Sequence, residues 1–202
     1  MLVWVLLGCT SSGLEDDDDD GDGIVVNPDA SSDSGFGALI IEIETSLGSL
    51  VVALDEDAAP VTVENFLGYV DSGFFDGTDG SGATVFHRVI DEFVAQGGGY
   101  TDDGKYKEPG AAIVLESDNG LSNRQGTIGM ARSTDPDSAT SQFYFNLIDN
   151  DFLDYQDASN PGYAVFGELV EGQSTLDAIG VVSTDDEDWP TEDVVIVSCV
   201  RQ

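Results

Sequence analysis

From residue 38 onward, apolar and polar residues alternate with a period of two through several short runs, and this pattern predicts strands. ALIIEIET (38–45) and SLVVAL (49–54) read as a hairpin turning across Ser46-Leu47-Gly48. The period then changes. Val63, Phe66, Leu67 and Val70 fall at i, i+3, i+4 and i+7, which makes one apolar face of a helix over 60–70. Pro60 suits its first turn and Gly73 its stop. The next stretch, TVFHRVIDEFVAQGGG (84–99), predicts two strands, Val85–Ile90 and Phe93–Gln96, joined by Asp91-Glu92. Alternation in the first puts Val85, His87 and Val89 on one face and Phe86, Arg88 and Ile90 on the other. Gly97-Gly98-Gly99 reads as a strand exit that needs unusual dihedrals or a close backbone approach.

Residues 100–123 are mostly loop. Further strands are predicted at Gly126–Ala131, Gln142–Ile148, Tyr163–Leu169 and Val194–Val200, with a short helix at Ser174–Ile179. Many short strands and only two helices indicate an all-β barrel or sandwich.

The first 37 residues follow a different pattern. MLVWVLLG (1–8) is too short to span a bilayer, which takes roughly 20 apolar residues, and looks like the tail of a secretory leader. Leu6-Leu7-Gly8-Cys9 resembles a prokaryotic lipobox, which implies a lipid on Cys9, although no basic stretch precedes it. Residues 9–37 have the Ser, Gly and Asp composition of a flexible acidic linker. Within it Asp18, Asp20, Asp22, Gly23 and Asp29 are spaced like positions of a calcium loop, but no Glu ends the loop and no helices flank it. A solvated spacer accounts for this segment better than calcium binding. The folded domain is expected over 38–202.

Charge narrows the partners. The chain has 40 acidic and 6 basic residues and a formal net charge of −34. Nine of the acids precede residue 38, so the domain keeps 31 against all six bases. Nucleic acid is not expected as a partner, because phosphate neutralisation needs clustered Lys and Arg. Contact with an anionic membrane is expected only through a lipid anchor. Such a surface suits either a salt-rich medium, where self-repulsion is screened, or general solubility.

Residue supply removes several chemistries. Two cysteines, Cys9 and Cys199, lie near opposite ends of the chain, which leaves no disulfide scaffold, and one histidine cannot build a zinc site. His87 would have to serve any Ser-His-Asp hydrolase, and no GxSxG elbow is present. The triple glycine has no following Lys-Ser/Thr to cradle phosphate.

FHRVI, then Phe93, then Gln96 and three glycines, resembles the signature of the cyclophilin family of peptidyl-prolyl cis-trans isomerases. PVTVENFLGYV, NGLSNRQGTIGMAR, SQFYFNLIDNDFLD and YAVFGELVEG are similar to the family's other blocks, in the same order, from about Ala38 to the C-terminus. The resemblance implies a mainly β fold: an eight-stranded antiparallel closed barrel capped by two helices, with its site on the outer face. It implies that Arg88 is the catalytic arginine and that Gln96 bonds the substrate backbone. By the same resemblance, Phe93 and Leu153 match proline-pocket positions, and Ala131 and Gln142 match positions flanking the neighbouring substrate residue.

Val94 stands where methionine is usual and Tyr144 where phenylalanine is common. Phe152, Tyr163 and Arg132 replace tryptophan, histidine and asparagine of many eukaryotic members. These departures bear on ligand preference more than on activity.

The implied reaction is rotation about Xaa-Pro bonds of exported polypeptides, with no metal or organic cofactor, by a monomer held at the cell envelope. The alternative is a non-catalytic proline-peptide binding module using the same groove, or a calcium-responsive envelope protein built on the barrel. Retention of Arg88 and Gln96 favours catalysis.

Overall fold

The first hairpin forms as the alternation requires: β1 (Leu39–Thr45) pairs antiparallel with β2 (Gly48–Leu54) from Leu39 opposite Leu54 to Thr45 opposite Gly48. The remaining strands are β3 (Thr84–Ile90), β4 (Val94–Thr101), β5 (Thr127–Met130), β6 (Phe143–Asn146), β7 (Val165–Glu171) and β8 (Val194–Arg201). In this computed structural model, which describes residues 39–202, they close into one antiparallel barrel in the order β1-β2-β7-β5-β6-β4-β3-β8. The expected leader at 1–8, the linker at 9–37 with Cys9 and its calcium-like spacing, and Ala38 lie outside the described residues.

Phenylalanines fill the barrel. Phe66, Phe75, Phe86, Phe143, Phe145 and Phe166 are fully buried, and Phe143 meets Phe66, Phe75, Phe86 and Phe145 edge-on at ring separations of 5.3–6.1 Å. Tilted and edge-on contacts of this kind let the positive ring edges meet the negative faces.

Helix α1 (Pro60–Asp71) supplies Val63, Phe66, Leu67 and Val70 to that core, as its period predicts, and Pro60 opens it. No side chain of its own caps its start. Instead Glu116, from the long β4–β5 loop, accepts the backbone N–H groups of Val61 and Thr62 at 3.1 and 2.8 Å. A carboxylate at a helix N-terminus satisfies donors that the helix cannot, and it meets the positive end of the dipole. Helix α2 (Gln173–Gly180) packs Leu176 and Ile179 inward against β2, β3 and β4. Lys107, itself buried, ties the same long loop to the α1–β3 connection. Its ammonium donates to Phe74 O (2.6 Å), Gly82 O (2.7 Å) and Asp79 Oδ1 (3.0 Å).

Two sequence expectations are corrected at β3 and β4. The triple glycine does not end a strand at Gln96; β4 starts at Val94 and runs through all three glycines to Thr101, with Phe93 in the preceding turn. The strict alternation of β3 also fails. Phe86 pairs with Gly97 and Arg88 with Gln96, so β3 carries one extra residue, His87, as a bulge. Phe86 and Val89 therefore both join the core, while Arg88 between them is only partly buried. At the other end, β7 starts at Val165, so Tyr163 lies in the loop before it.

Gly98 marks where β4 needs a residue without a side chain. Its φ is +81°, and a Cβ there would lie 2.8 Å from Ser141 O. Gly98→Ala should destabilise the domain by about 1–3 kcal/mol through left-handed backbone strain, with the clash on top. Denaturant melts of the two proteins check this, and equal midpoints at equal slopes would refute it.

Candidate active site

One row of cross-strand partners builds the site. Arg88 on β3 faces Gln96 on β4, Gln96 faces Tyr144 on β6, and Tyr144 faces Gly129 on β5. The neighbouring row, Val89, Ala95, Phe145 and Ile128, lies in the core. Because side chains alternate across a pleated sheet, an inward row obliges the next to face outward. The outer row with the loops around it encloses a cavity of about 200 Å³, lined by Arg88, Phe93, Val94, Gln96, Ala131, Arg132, Tyr144, Leu153 and Tyr163. All nine were singled out from the sequence.

The other two expected binding residues, Gln142 and Phe152, do not line the cavity but support residues that do. Gln96 Nε2 donates to Gln142 Oε1 at 2.8 Å, which leaves Gln96 Oε1 to accept from a ligand. A Cβ on Gly99 would meet the Gln142 side chain at 2.6 Å, so the close-approach reading of the glycine run holds at this residue. Phe152, 62% exposed, stacks on Phe93 with ring centroids 5.8 Å apart and planes 19° apart. Phe93 is held by its carbonyl, which accepts from Leu147 N (2.9 Å) and Asn150 Nδ2 (3.0 Å). Leu153 closes a 3₁₀ turn, Asp151–Leu153, and its carbonyl accepts from Tyr163 N at 2.9 Å. Ala131 is fixed by its N–H to Gln142 O at 2.9 Å.

Tyr144 forms the floor. Its ring occupies space that a side chain on Gly129 would fill, since a Cβ there would lie 2.6 Å from the Tyr144 hydroxyl. The hydroxyl donates to Asn123 Oδ1 at 2.6 Å, and Asn123 in turn donates its Nδ2 and backbone N–H to Asp154 Oδ1 at 2.9 and 2.7 Å. Burial holds the Tyr144 phenol well above its ordinary pKa, so it stays protonated and donates.

Two cations reach the cavity. Arg88 Nε lies 3.6 Å from Asp188 Oδ2, on the loop before β8. That carboxylate engages one edge of the guanidinium and leaves its terminal nitrogens for a ligand. Arg132 lies over the Tyr163 ring, 4.5 Å from its centroid. His87, next to Arg88, packs on Tyr100 and Trp189 with centroids 4.8 and 5.9 Å away. Burial pushes its pKa down to about 4, against the opposing contacts of the Val85 backbone and Gln142. A neutral imidazole with Nδ1 buried and unpartnered is not placed to shuttle protons.

Sequence reasoning missed Asp188, Asn123, Asp154 and Gly129 as parts of the site. Asn123 and Gly129 lie in NGLSNRQGTIGMAR and Asp154 in SQFYFNLIDNDFLD, so the blocks held them, but their roles depend on contacts remote in sequence. Asp188 is the last acid of DDED (185–188) and carries no distinguishing signal.

Comparisons with known proteins agree with this geometry. Residues 40–201 match the family model described as cyclophilin type peptidyl-prolyl cis-trans isomerase/CLD. The peptidyl-prolyl cis-trans isomerase cyp18 of Streptomyces antibioticus is 48% identical over 164 residues, covering 78% of this chain and 95% of that one. Peptidyl-prolyl cis-trans isomerase B of Escherichia coli is 42% identical over 165 residues, covering 79% and 97%. Among solved structures, a Cryptosporidium parvum cyclophilin-type isomerase, crystallised in the presence of the dipeptide Ala-Pro, superposes with a TM-score of 0.65. It is 25% identical, with 81% of this chain and 98% of that one covered.

The burial of neutral His87 has a consequence for pH. Its folded pKa of about 4 lies below the unfolded value near 6.5, so between these values the unfolded chain binds a proton that the folded one refuses. Stability is fully present above that window and falls as pH drops through it, by up to about 3 kcal/mol. His87→Gln removes this contribution. The unfolding free energy of the natural protein minus that of the variant should therefore shrink from pH 7 to pH 4.5, the carboxylates cancelling in the difference. A difference independent of pH refutes the assignment.

Proposed function

The chain belongs to the cyclophilin-type peptidyl-prolyl cis-trans isomerase family, and from the geometry of its outer face we propose that Arg88 lowers the barrier to Xaa-Pro rotation, with exported polypeptides as the clients. The protein is an isomerase that binds proline-containing peptides.

The reaction breaks no covalent bond. Its barrier of about 18–20 kcal/mol is the loss of amide resonance as the C–N bond twists. In the twisted state the proline nitrogen becomes pyramidal and regains its lone pair, and a guanidinium directed at that nitrogen stabilises this state over either planar one. Arg88 suits the task because it stays charged at any working pH and is oriented by Asp188. The proline ring fits against Phe93, Val94, Tyr144 and Leu153. Gln96, held by Gln142, accepts a substrate backbone N–H, which fixes one side of the bond while the other turns. The observation that carries this reading is the row Arg88–Gln96–Tyr144, which sets the cation, the backbone acceptor and the apolar floor side by side.

The N-terminal pattern supports an envelope location. A lipid on Cys9, with residues 10–37 as spacer, would tether the barrel to a membrane on a coil reaching on the order of 30 Å, more when like charges repel. That reach holds the cavity clear of an anionic surface and open to emerging chains.

Arg88→Ala should cut kcat/KM for a Xaa-Pro peptide by roughly 10²–10³-fold with the fold intact by circular dichroism. Arg88→Lys should restore little, lacking the planar fork. Near-natural exchange rates in the alanine variant, measured by NMR, would overturn the role given to Arg88. The anchor has its own test. Expressed in a bacterial host with its N-terminal segment intact, the protein should fractionate with membranes and carry a lipid on Cys9 by mass spectrometry, and Cys9→Ser should abolish both without altering turnover. Unmodified Cys9 in the membrane fraction sinks the anchor and leaves the isomerase reading intact.

A further inference from the structure

We propose that the groove adjoining the proline cavity across Arg132 and Tyr163 is a second substrate subsite that takes an acidic side chain one or two residues from the proline; this rests on the isomerase reading above. The groove has a volume of about 590 Å³ and shares Arg132 and Tyr163 with the proline cavity. An extended residue advances about 3.3 Å, so the neighbours of a proline seated in the cavity come within reach of it.

The charge of this groove sets it apart. Hydroxyl and amide side chains of Ser133, Thr134, Ser159 and Asn160 line it beside Arg132, and no Asp or Glu does. Three other grooves of 370–600 Å³ away from the site all carry carboxylates, among them Asp79 and Glu108, Glu64 and Asp71, and Glu192 and Asp193. Nearby acids are turned to other partners. Asp137 Oδ1 accepts from Leu115 N at 2.9 Å, and Asp157 Oδ1 accepts from Ser159 N at 2.7 Å.

Arg132 is also held ready. Its Nε and Nη2 both donate to Gly162 O, at 2.9 and 2.8 Å, and Nη1 donates to Ser133 O at 2.9 Å, while its plane lies on Tyr163. These partners are neutral carbonyls, and among the described residues no carboxylate pairs with it. Three of its five N–H groups are used, which leaves one on each terminal nitrogen for an incoming carboxylate. Pre-set in one rotamer, the guanidinium loses little further entropy on binding.

Long-range repulsion from the acidic domain opposes any anionic substrate, but salt screens it more than it screens a contact pair, so the local preference is read in high salt. Proline peptides carrying Glu, Gln or Lys at each of the two positions before and two after proline are assayed by NMR exchange at about 1 M salt. At one of these positions Glu should be preferred over Gln by about two- to five-fold in kcat/KM. That ratio should fall to one or below in Arg132→Gln and in Thr134→Glu, the second placing a carboxylate on an exposed wall of the groove. Ratios unchanged in both variants at all four positions overturn the subsite alone. Absence of exchange with every peptide overturns the isomerase reading and the subsite with it.

Discussion

A single inserted residue in β3 decides what the barrel can do. Without the bulge at His87, alternation from Phe86 in the core would return Arg88 to the core and leave Val89 outside. An unpaired guanidinium among the phenylalanines would cost several kcal/mol. With the bulge, Phe86 and Val89 both stay in the core, and the register beyond it places Arg88 beside Gln96 and Tyr144. The strand bends locally to re-aim one side chain, a common use of bulges beside active sites. The extra residue has its own cost: His87 is buried beneath Tyr100 and Trp189 with Nδ1 unpartnered.

Behind the cavity a polar network gives the apolar pocket its shape. Tyr144 Oη and Asn146 Nδ2 converge on Asn123 Oδ1, Asn146 donates again to Thr127, and Asn150 links Asn146 to the Phe93 carbonyl. The floor residue Tyr144 and the wall residue Phe93 are thus joined through asparagines that are fully or almost fully buried. Buried polar groups satisfied in this way hold one arrangement, because each alternative strands a donor or acceptor. Asn150 Oδ1 is the exception. With His87 Nδ1 it is one of two buried side-chain polar atoms without a partner among the described residues, and both lie against the site. Local rules are expected to break where function is placed.

Local pattern was legible where local physics decides the outcome. The β1–β2 hairpin and the α1 face follow from periods of two and 3.6 residues, and both form as read. The cavity residues were legible because they sit in dense blocks with a recognisable spacing. What was not legible depends on partners far along the chain. The bulge is invisible in TVFHRVI, because only the pairing with β4 shows which residue is extra. The glycine run looked like a strand exit, whereas β4 continues through it with Gly98 in a left-handed backbone and Gly99 making room for Gln142. The cap of α1 comes from Glu116, more than fifty residues away. Asp188 was hidden by the abundance of acids: in so acidic a chain, the one carboxylate that lies beside Arg88 looks like any solvated one.

That excess of acid makes the placement of the few bases informative. Lys105, Lys107 and Arg201 pair with Asp103, Asp79 and Asp71 and serve the fold, while two of the remaining three bases, Arg88 and Arg132, line the candidate site's cavity. The catalytic interaction proposed for Arg88 acts at contact distance on an uncharged amide. It therefore does not require the long-range field, which the domain's net negative charge dominates. Raising salt shortens the Debye length from about 8 Å in physiological medium to about 3 Å at 1 M, which removes the repulsion among surface carboxylates while largely sparing contacts inside a half-enclosed cavity. The surface and the site thus answer to different electrostatic ranges. A barrel whose stability and steering shift with ionic strength can keep a nearly constant chemical step, provided the arginine, the carboxylate 3.6 Å from it and the pocket floor keep their places.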